Sequence, residues 1–422
     1  MRILSSKRFI VLLCGIIGVV LIGWLLLPVF VSTDVVRNAI ERNITEITGQ
    51  QVSVGDSVDI SLFPTPTATL KNITIAARGR QAQATPIAVL DEIELDLALN
   101  SLITGEPRVS SVRLIRPVFN LEIDPENALS DQLPMNNVRQ AVRIAGEQRD
   151  AERAQNTDLP TGLEGRPAIV YPQWLKQNIG MVSITDGSLV LTTATQDRTI
   201  TITSINGALN WPRISAPLTF SGTMVVEGEA LNVAYTSTHP VDALAGEVAQ
   251  STLTITSPIA NLNVSGEFGF ASGFFAVGDI SLETPSLRRL LAWGGRPILA
   301  GRSLGALKLS AQMRARGETI RLNTLAINVD GNAGTGVLEV ARRGDGPPTL
   351  VGTLDFATLD LRAFLSAFTN LPRSVNSTSS IDTSFMEQLQ TDLRISANTA
   401  RFDDFELTGV AATAQTTADL AL

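Results

Sequence analysis

Histidine and cysteine occur once each in this 422-residue chain, as His239 and Cys14. That scarcity excludes metal clusters of His and Cys, disulfides, cysteine nucleophiles outside Cys14 and any Ser-His-Asp triad not built on His239. His239 lies in THPVD, a turn-like stretch before a proline, and reads as a surface-loop residue. Aromatic residues make up 5% of the chain, so few bulky rings are available to fill a core. The net charge of −8 and the absence of clustered Lys and Arg argue against nucleic acid as a partner. No P-loop and no G-x-S-x-G is present, and the GNAGTG patch, Gly331 to Gly336, reads as a turn between strands. No cofactor is implied.

What the chain does contain begins with an uncharged run, Phe9 to Val31, FIVLLCGIIGVVLIGWLLLPVFV. At about 1.5 Å per helical residue this run is roughly 34 Å long, enough to cross a hydrocarbon core of about 30 Å. It reads as a transmembrane anchor. Arg2, Lys7 and Arg8 precede it and Asp34 is the first charge beyond, so residues 1–8 are expected in the cytoplasm and everything after Ser32 is expected to be exported. A cleaved signal peptide is the competing reading, with a run longer than usual and no A-x-A-like site after it.

The segment TDVVRNAIERNITEITGQ follows, with Val35, Val36, Ala39, Ile40, Ile44 and Ile47 at helical spacing and Gly49 as a stop. From Gln50 the period falls to 2. Val58, Ile60 and Leu62, then Leu70, Ile73 and Ile75 mark short strands around an FPTPT bend. In DEIELDLAL, Asp91 to Leu99, the residues Ile93, Leu95, Leu97 and Leu99 point one way and Glu92, Glu94 and Asp96 the other. Alternation then continues around an interruption at Arg116-Pro117. Residues 125–172 form a polar insert in which Met135 to Asn156 favours a surface helix. From Met181 the rhythm is β throughout, with a slip near Ser204 that requires a bulge or an Asn206-Gly207 turn. Pro285 to Gly301 breaks it with a short helix capped by Thr284, and Leu361 to Phe368 suits another.

Strands with one oily face have three stable solutions: apposed sandwich faces, a barrel, or a long curved sheet whose oily side meets something else. All three demand the same alternation, so periodicity does not choose between them.

The stretch GQQVSVGDSVDISLFPTPTATLKNITIA and the following DEIELDLALNSLITGEPRVSSVRLIRPVFNLEI resemble the N-terminal domain of the AsmA family. The marks are the LFPTP bend with Phe63, Pro64 and Pro66, the L-x-x-G connection ending at Gly105, and the strand closing on Arg116-Pro117. VSITDGSLVL, Val182 to Leu191, is similar to the family's second opening strand, and the run from Leu393 is similar to the start of its C-terminal part. The glycine-rich remainder of that part does not follow within these residues, leaving either a short member or the front of a longer one.

The resemblance implies a mainly β fold: a single transmembrane helix, then an elongated, curved antiparallel β-sheet forming a taco-shaped groove with a few covering helices, with β-sandwich domains as the alternative. It divides the chain into a chorein-like N-terminal helix and β domain over 32–124, the insert over 125–172, a groove region over 173–390 and a C-terminal-like start over 391–422. It implies a non-enzymatic, inner-membrane-anchored periplasmic protein of a Gram-negative bacterium that binds phospholipid acyl chains and supports delivery to the outer membrane. Outer-membrane biogenesis proteins would be further partners. A scaffold or regulator of outer-membrane protein targeting or lipopolysaccharide assembly is the alternative. A hydrolase on Asp403 and Asp404 is disfavoured, since neighbours on a strand face opposite ways. The expected groove lining is Val58, Ile60, Leu62, Ile93, Leu95, Leu97 and Leu99. Leu97→Asp is expected to lower lipid loading without unfolding the chain, as read by mass spectrometry of co-purified lipid.

Overall fold

The computed structural model describes residues 41–42, 45, 51–55, 58–61, 65–76, 85–97, 109–123, 140–141, 143–148, 151, 178–193, 198–213, 215–245, 247–269, 274–295, 305–342, 348–366 and 390–415. The apolar run Phe9 to Val31 lies outside them. Among the described residues no helix is long and apolar enough to cross a membrane. Helical residues do appear within two of the expected helices, at Glu41, Arg42 and Thr45 and at 143–148.

The strands form one open 18-stranded sheet. In chain order they are β1 (Val52–Ser53), β2 (Val58–Ser61), β3 (Thr67–Ile75), β4 (Ala88–Leu97), β5 (Val109–Ile123), β6 (Asn178–Thr193), β7 (Arg198–Arg213), β8 (Leu218–Val226) and β9 (Glu229–Ser237). They continue with β10 (Ala249–Thr256), β11 (Asn261–Gly269), β12 (Phe275–Thr284), β13 (Leu307–Arg316), β14 (Thr319–Val329), β15 (Asn332–Ala341), β16 (Thr349–Asp360), β17 (Gln390–Phe402) and β18 (Phe405–Gln415). From β2 onward each strand pairs with its neighbours in sequence, and β1 pairs beside β2 along the same edge of β3. No pairing among the described strands joins β18 back to the first strands, so the sheet is neither a closed barrel nor a set of separate sandwich domains.

The expectation of an antiparallel sheet is corrected at two places, where β5 pairs parallel to β6 and β16 parallel to β17. Parallel neighbours need a long crossover, and these two junctions are the ones with long intervening sequence, 124–177 and 361–389. Every other neighbouring pair is antiparallel, including β12 and β13, whose connection 285–306 carries a helix and returns to the same end of the sheet. The GNAGTG patch is corrected as well: only Asp330 and Gly331 turn, with φ 50° and 88°, and Asn332 to Gly336 lie inside β15.

The first parallel junction coincides with a row of residues in the left-handed region. Asn72, Arg116, Asp186 and Ser204 carry φ of 56°, 46°, 53° and 50° at adjoining positions of β3, β5, β6 and β7. In β3, β4 and β5 the alternation slips there, so that Leu70 and Ile73, Leu90 and Ile93, Leu114 and Pro117 all stay on one face. The interruption at Arg116-Pro117 and the slip near Ser204 are members of this row, and β7 runs unbroken through Asn206-Gly207. β3, β4 and β5 slip together and keep their register there, whereas β6 and β7 shift register at Ile184–Leu189 and Thr203–Asn206, the mark of bulges, which bend and twist a strand.

Three short helices punctuate the strands: α1 (Pro240–Ala245), α2 (Leu287–Trp293) and α3 (Leu361–Ser366). α2 is capped by Ser286, whose side chain accepts from the Arg289 N–H, and not by Thr284. The Thr284 hydroxyl instead donates to the Ile259 carbonyl.

Fully buried side chains gather in two places. One cluster holds Ala68, Leu70, Ile73, Leu90 and neighbours on β2–β4, and the other holds Met313, Leu325, Leu354, Phe356 and Ala397 on β11–β17. Leu70 is 0% exposed and Leu253 of β10 is half-buried. Leu70→Ala should therefore cost about 2–5 kcal/mol and Leu253→Ala about 1 kcal/mol or less in urea unfolding. Equal costs would show that β10 is covered as tightly as β3.

Candidate functional site

Period 2 divides the sheet into two faces, and cross-strand register carries each face from strand to strand. On β13 the residues Leu307, Leu309, Ala311, Met313 and Ala315 point one way and Lys308, Ser310, Gln312, Arg314 and Arg316 the other. Register places Leu282, Ile280 and Ala276 of β12 on the apolar side, followed by Leu262, Val264 and Phe268 of β11. The same face continues through Leu253 and Ile255, Val233 and Tyr235, Phe220 and Met224, and Ile202 and Leu209 back to Val182 and Ile184 of β6. One aliphatic surface thus runs across eight consecutive strands, β6 to β13, without a charged side chain in its middle.

Most of these side chains are half-buried. Val182, Ile184, Leu209, Phe220, Val233, Leu253, Ile255, Leu262, Ile280, Leu282 and Leu309 all keep part of their surface accessible, although Ile205 and Trp211 are packed away. Inward residues of a two-layer sandwich are covered by the opposing sheet. Here no second sheet is present among the described residues.

Two features keep the surface flat. A Cβ on Gly207 or Gly222 would come within 3.0 Å of the Phe220 ring, and one on Gly334 within 2.7 Å of Phe356. Each ring therefore lies over a glycine on its own or the adjoining strand, where any side chain would lift it off the sheet. The face's few hydroxyls are mutually satisfied: Tyr235 Oη and Ser237 Oγ lie 3.3 and 3.1 Å from Ser251 Oγ, which is 3.2 Å from the Ala249 carbonyl. None of these residues is legible as a site from alternation alone. The small residues at period-2 positions, Gly207, Gly222 and Gly334, are the signal that could have marked a thin floor.

The expected lining residues sit at one end of this surface. Val58, Ile93 and Leu95 share the apolar side, but at 8%, 6% and 5% exposure they are packed into the β2–β4 cluster, with Ile60 half-buried beside them. The first three are therefore not open for a ligand to lie against in this conformation. Leu97 closes β4 opposite Val109. Leu62 and Leu99 lie outside the described residues, as do Phe63, Pro64 and Gly105. Of the remaining motif residues, Pro66 and Pro117 are buried. Arg116 is the left-handed residue of β5, and its Nε donates to Asp91 Oδ2 at 2.8 Å. That hydrogen bond, with the charges of Asp91 and Asp186, raises the guanidinium pKa above its usual value. The Arg-Pro pair thus sits at the slip in alternation.

The opposite face is polar. Across β12–β17 it holds a shallow cleft of about 630 Å³ with Ser281, Ser310 and Thr335 in its floor and the Lys308–Glu283 ion pair, 3.5 Å, at one side. Asp403 and Asp404 form the turn between β17 and β18, and Arg362 of α3 pairs with Asp403. His239 is exposed, and its carbonyl accepts from the N–H groups of Asp242 and Ala243 at the start of α1. Among the described residues no three His, Cys, Asp or Glu side chains come together as a metal-holding group.

The sequence model of the AsmA family matches residues 6–168, which takes in the Leu62 to Pro66 bend, Gly105 and Arg116-Pro117. Val182 to Leu191 and the run from Leu393 lie beyond the matched residues. No curated protein matches the chain.

Proposed function

From the AsmA-family character of residues 6–168, we propose that this protein holds phospholipid by its acyl chains against the open apolar face and supports phospholipid delivery to the outer membrane. Family membership of this kind points to a role in outer-membrane assembly or lipid transport. The half-buried aliphatic surface from β6 to β13 is the observation that supports lipid as the cargo.

The energetics follow from that surface. Each methylene moved from water onto it contributes about 0.8 kcal/mol, so a chain of ordinary length gains several kcal/mol without any shaped pocket. A flat floor with glycines under its rings offers many equivalent positions, and sliding between equivalent positions costs little. Headgroups stay in water, and no bond is made or broken, so no catalytic residue is required. The bulges of β6 and β7 bend and twist those strands, and we take that to shape the surface into a trough.

The anchoring belongs to the same proposal. An apolar run with basic residues before it and acidic ones after it would tether the protein in the inner membrane and leave the sheet in the periplasm. A scaffold for outer-membrane protein targeting or lipopolysaccharide assembly would use the same anchor and would carry protein in place of lipid.

Leu253→Asp places a charge in the middle of the face at a half-buried position. The expected result is a loss of most phospholipid recovered by mass spectrometry from the purified full chain, with the urea midpoint nearly unchanged. Lipid recovered in undiminished amount overturns the reading. A chain that carries no lipid at all and instead crosslinks to a periplasmic protein supports the scaffold.

A further inference from the structure

α2 leaves the sheet after β12 and reaches back along the strand ends to the β8–β9 hairpin. Arg289 Nη2 lies 2.5 Å from Glu229 Oε1, and Trp293 Nε1 donates to the Val226 carbonyl at 2.9 Å. β9, β10 and β11 lie between these two points, at roughly 4.8 Å per strand. Glu229 stands directly opposite Val226, on the same side of the sheet as Met224 and Leu231. The helix therefore crosses the margin of the apolar face.

It is weakly held there. None of its residues is buried, and Leu287, Leu290, Leu291 and Trp293 are all half-buried. By contrast Val241 and Ala243 of α1 are each 1% exposed. The Arg289 side chain of the ion pair is 56% exposed and that of Glu229 22%, a setting in which an ion pair contributes little. The near end is firmer: the Leu287 N–H donates to the Gly305 carbonyl and the Ser286 N–H to Thr284 Oγ1. A helix fixed at its start and tied lightly at its end can swing.

What it crosses is sealed only at the margin. Leu231, Ile259 and Thr284 are 7%, 1% and 3% exposed at these strand ends, whereas Val233, Ile255 and Leu282, one step inward, are half-buried. We propose that α2 is a side gate: breaking the Arg289–Glu229 and Trp293–Val226 ties lets it swing outward about Pro285-Ser286, and an acyl chain then enters or leaves the face between β8 and β12. This deepens the lipid reading and rests on it.

The test uses the full chain with Cys14→Ser, Glu229→Cys and Arg289→Cys, bridged by a bis-maleimide whose linker contains a cleavable disulfide. A direct disulfide would require Cα atoms closer than the two long side chains need be. The protein is loaded with a fluorescent phospholipid, and release to phosphatidylcholine vesicles is timed. Bridging should slow release several-fold, and cleaving the linker with reductant should restore the rate. In a second variant, Glu229→Gln with Trp293→Phe, release should be faster than in the parent. Lipid that loads normally but leaves at the same rate whether bridged, cleaved or untied overturns the gate and leaves the lipid reading standing. A parent chain that takes up no phospholipid overturns both.

Discussion

A backbone ladder that closes on both sides while one side-chain face stays oily is the constraint on which this molecule depends. Interior strands satisfy their N–H and C=O groups through sequence neighbours, and leaving such groups unpaired in a buried place is costly. Ladder pairing says nothing about what lies against the faces. The sheet can therefore be well formed while much of its aliphatic side remains accessible, and stability has to come from the two regions where that side is packed. These are the β2–β4 cluster, with Leu70 and Ala68 fully buried, and the β11–β17 cluster around Phe356 and Leu325. The more open stretch lies between and beside them.

The row of left-handed residues is where the alternation slips and the apolar positions keep to one side. Asn72, Arg116, Asp186 and Ser204 each adopt a left-handed conformation that costs a non-glycine residue free energy, and local bonds offset it. Arg116 is tied to Asp91, and the Asp186 N–H donates to Asn206 Oδ1 at 3.0 Å. A comparable slip crosses β16, β17 and β18, where Phe356, Ala397 and Val410 align, followed three residues later in β16 and β17 by Leu359 and Ala400. Both rows flank a parallel junction. Slip and crossover thus recur together, and the residues matched to the AsmA family end between the two strands of the first junction.

Lipid carriage asks for what this arrangement has: a continuous aliphatic floor, few obstructing side chains, and a weakly held element at one margin. Aromatic rings are scarce, and two of those on the oily side lie over glycines. The Arg-Pro motif, which reads from sequence as a family mark, finds a mechanical reason in the slip. The sealed state of Val58, Ile93 and Leu95 moves the most accessible floor away from the motif-bearing strands and toward β6–β10, between the two packed clusters.

Much of the fold was already present in the order of residues. Alternation in DEIELDLAL, the interruption at Arg116-Pro117 and the slip near Ser204 correspond to a strand, a slip and a bulge, because side-chain direction is a local property of two successive dihedrals. β12 and β16 were harder to read, since Gly278 and Gly352 fall on the apolar positions and dilute the pattern. Parallel pairing at β5–β6 and β16–β17 was not legible, because a strand's period is the same whichever way its neighbour runs. Nor was accessibility: Ile93 and Leu253 sit in similar alternating stretches, yet one is packed and the other half-open. Burial depends on what arrives from elsewhere in the chain, and that was decided only when all eighteen strands had taken their places.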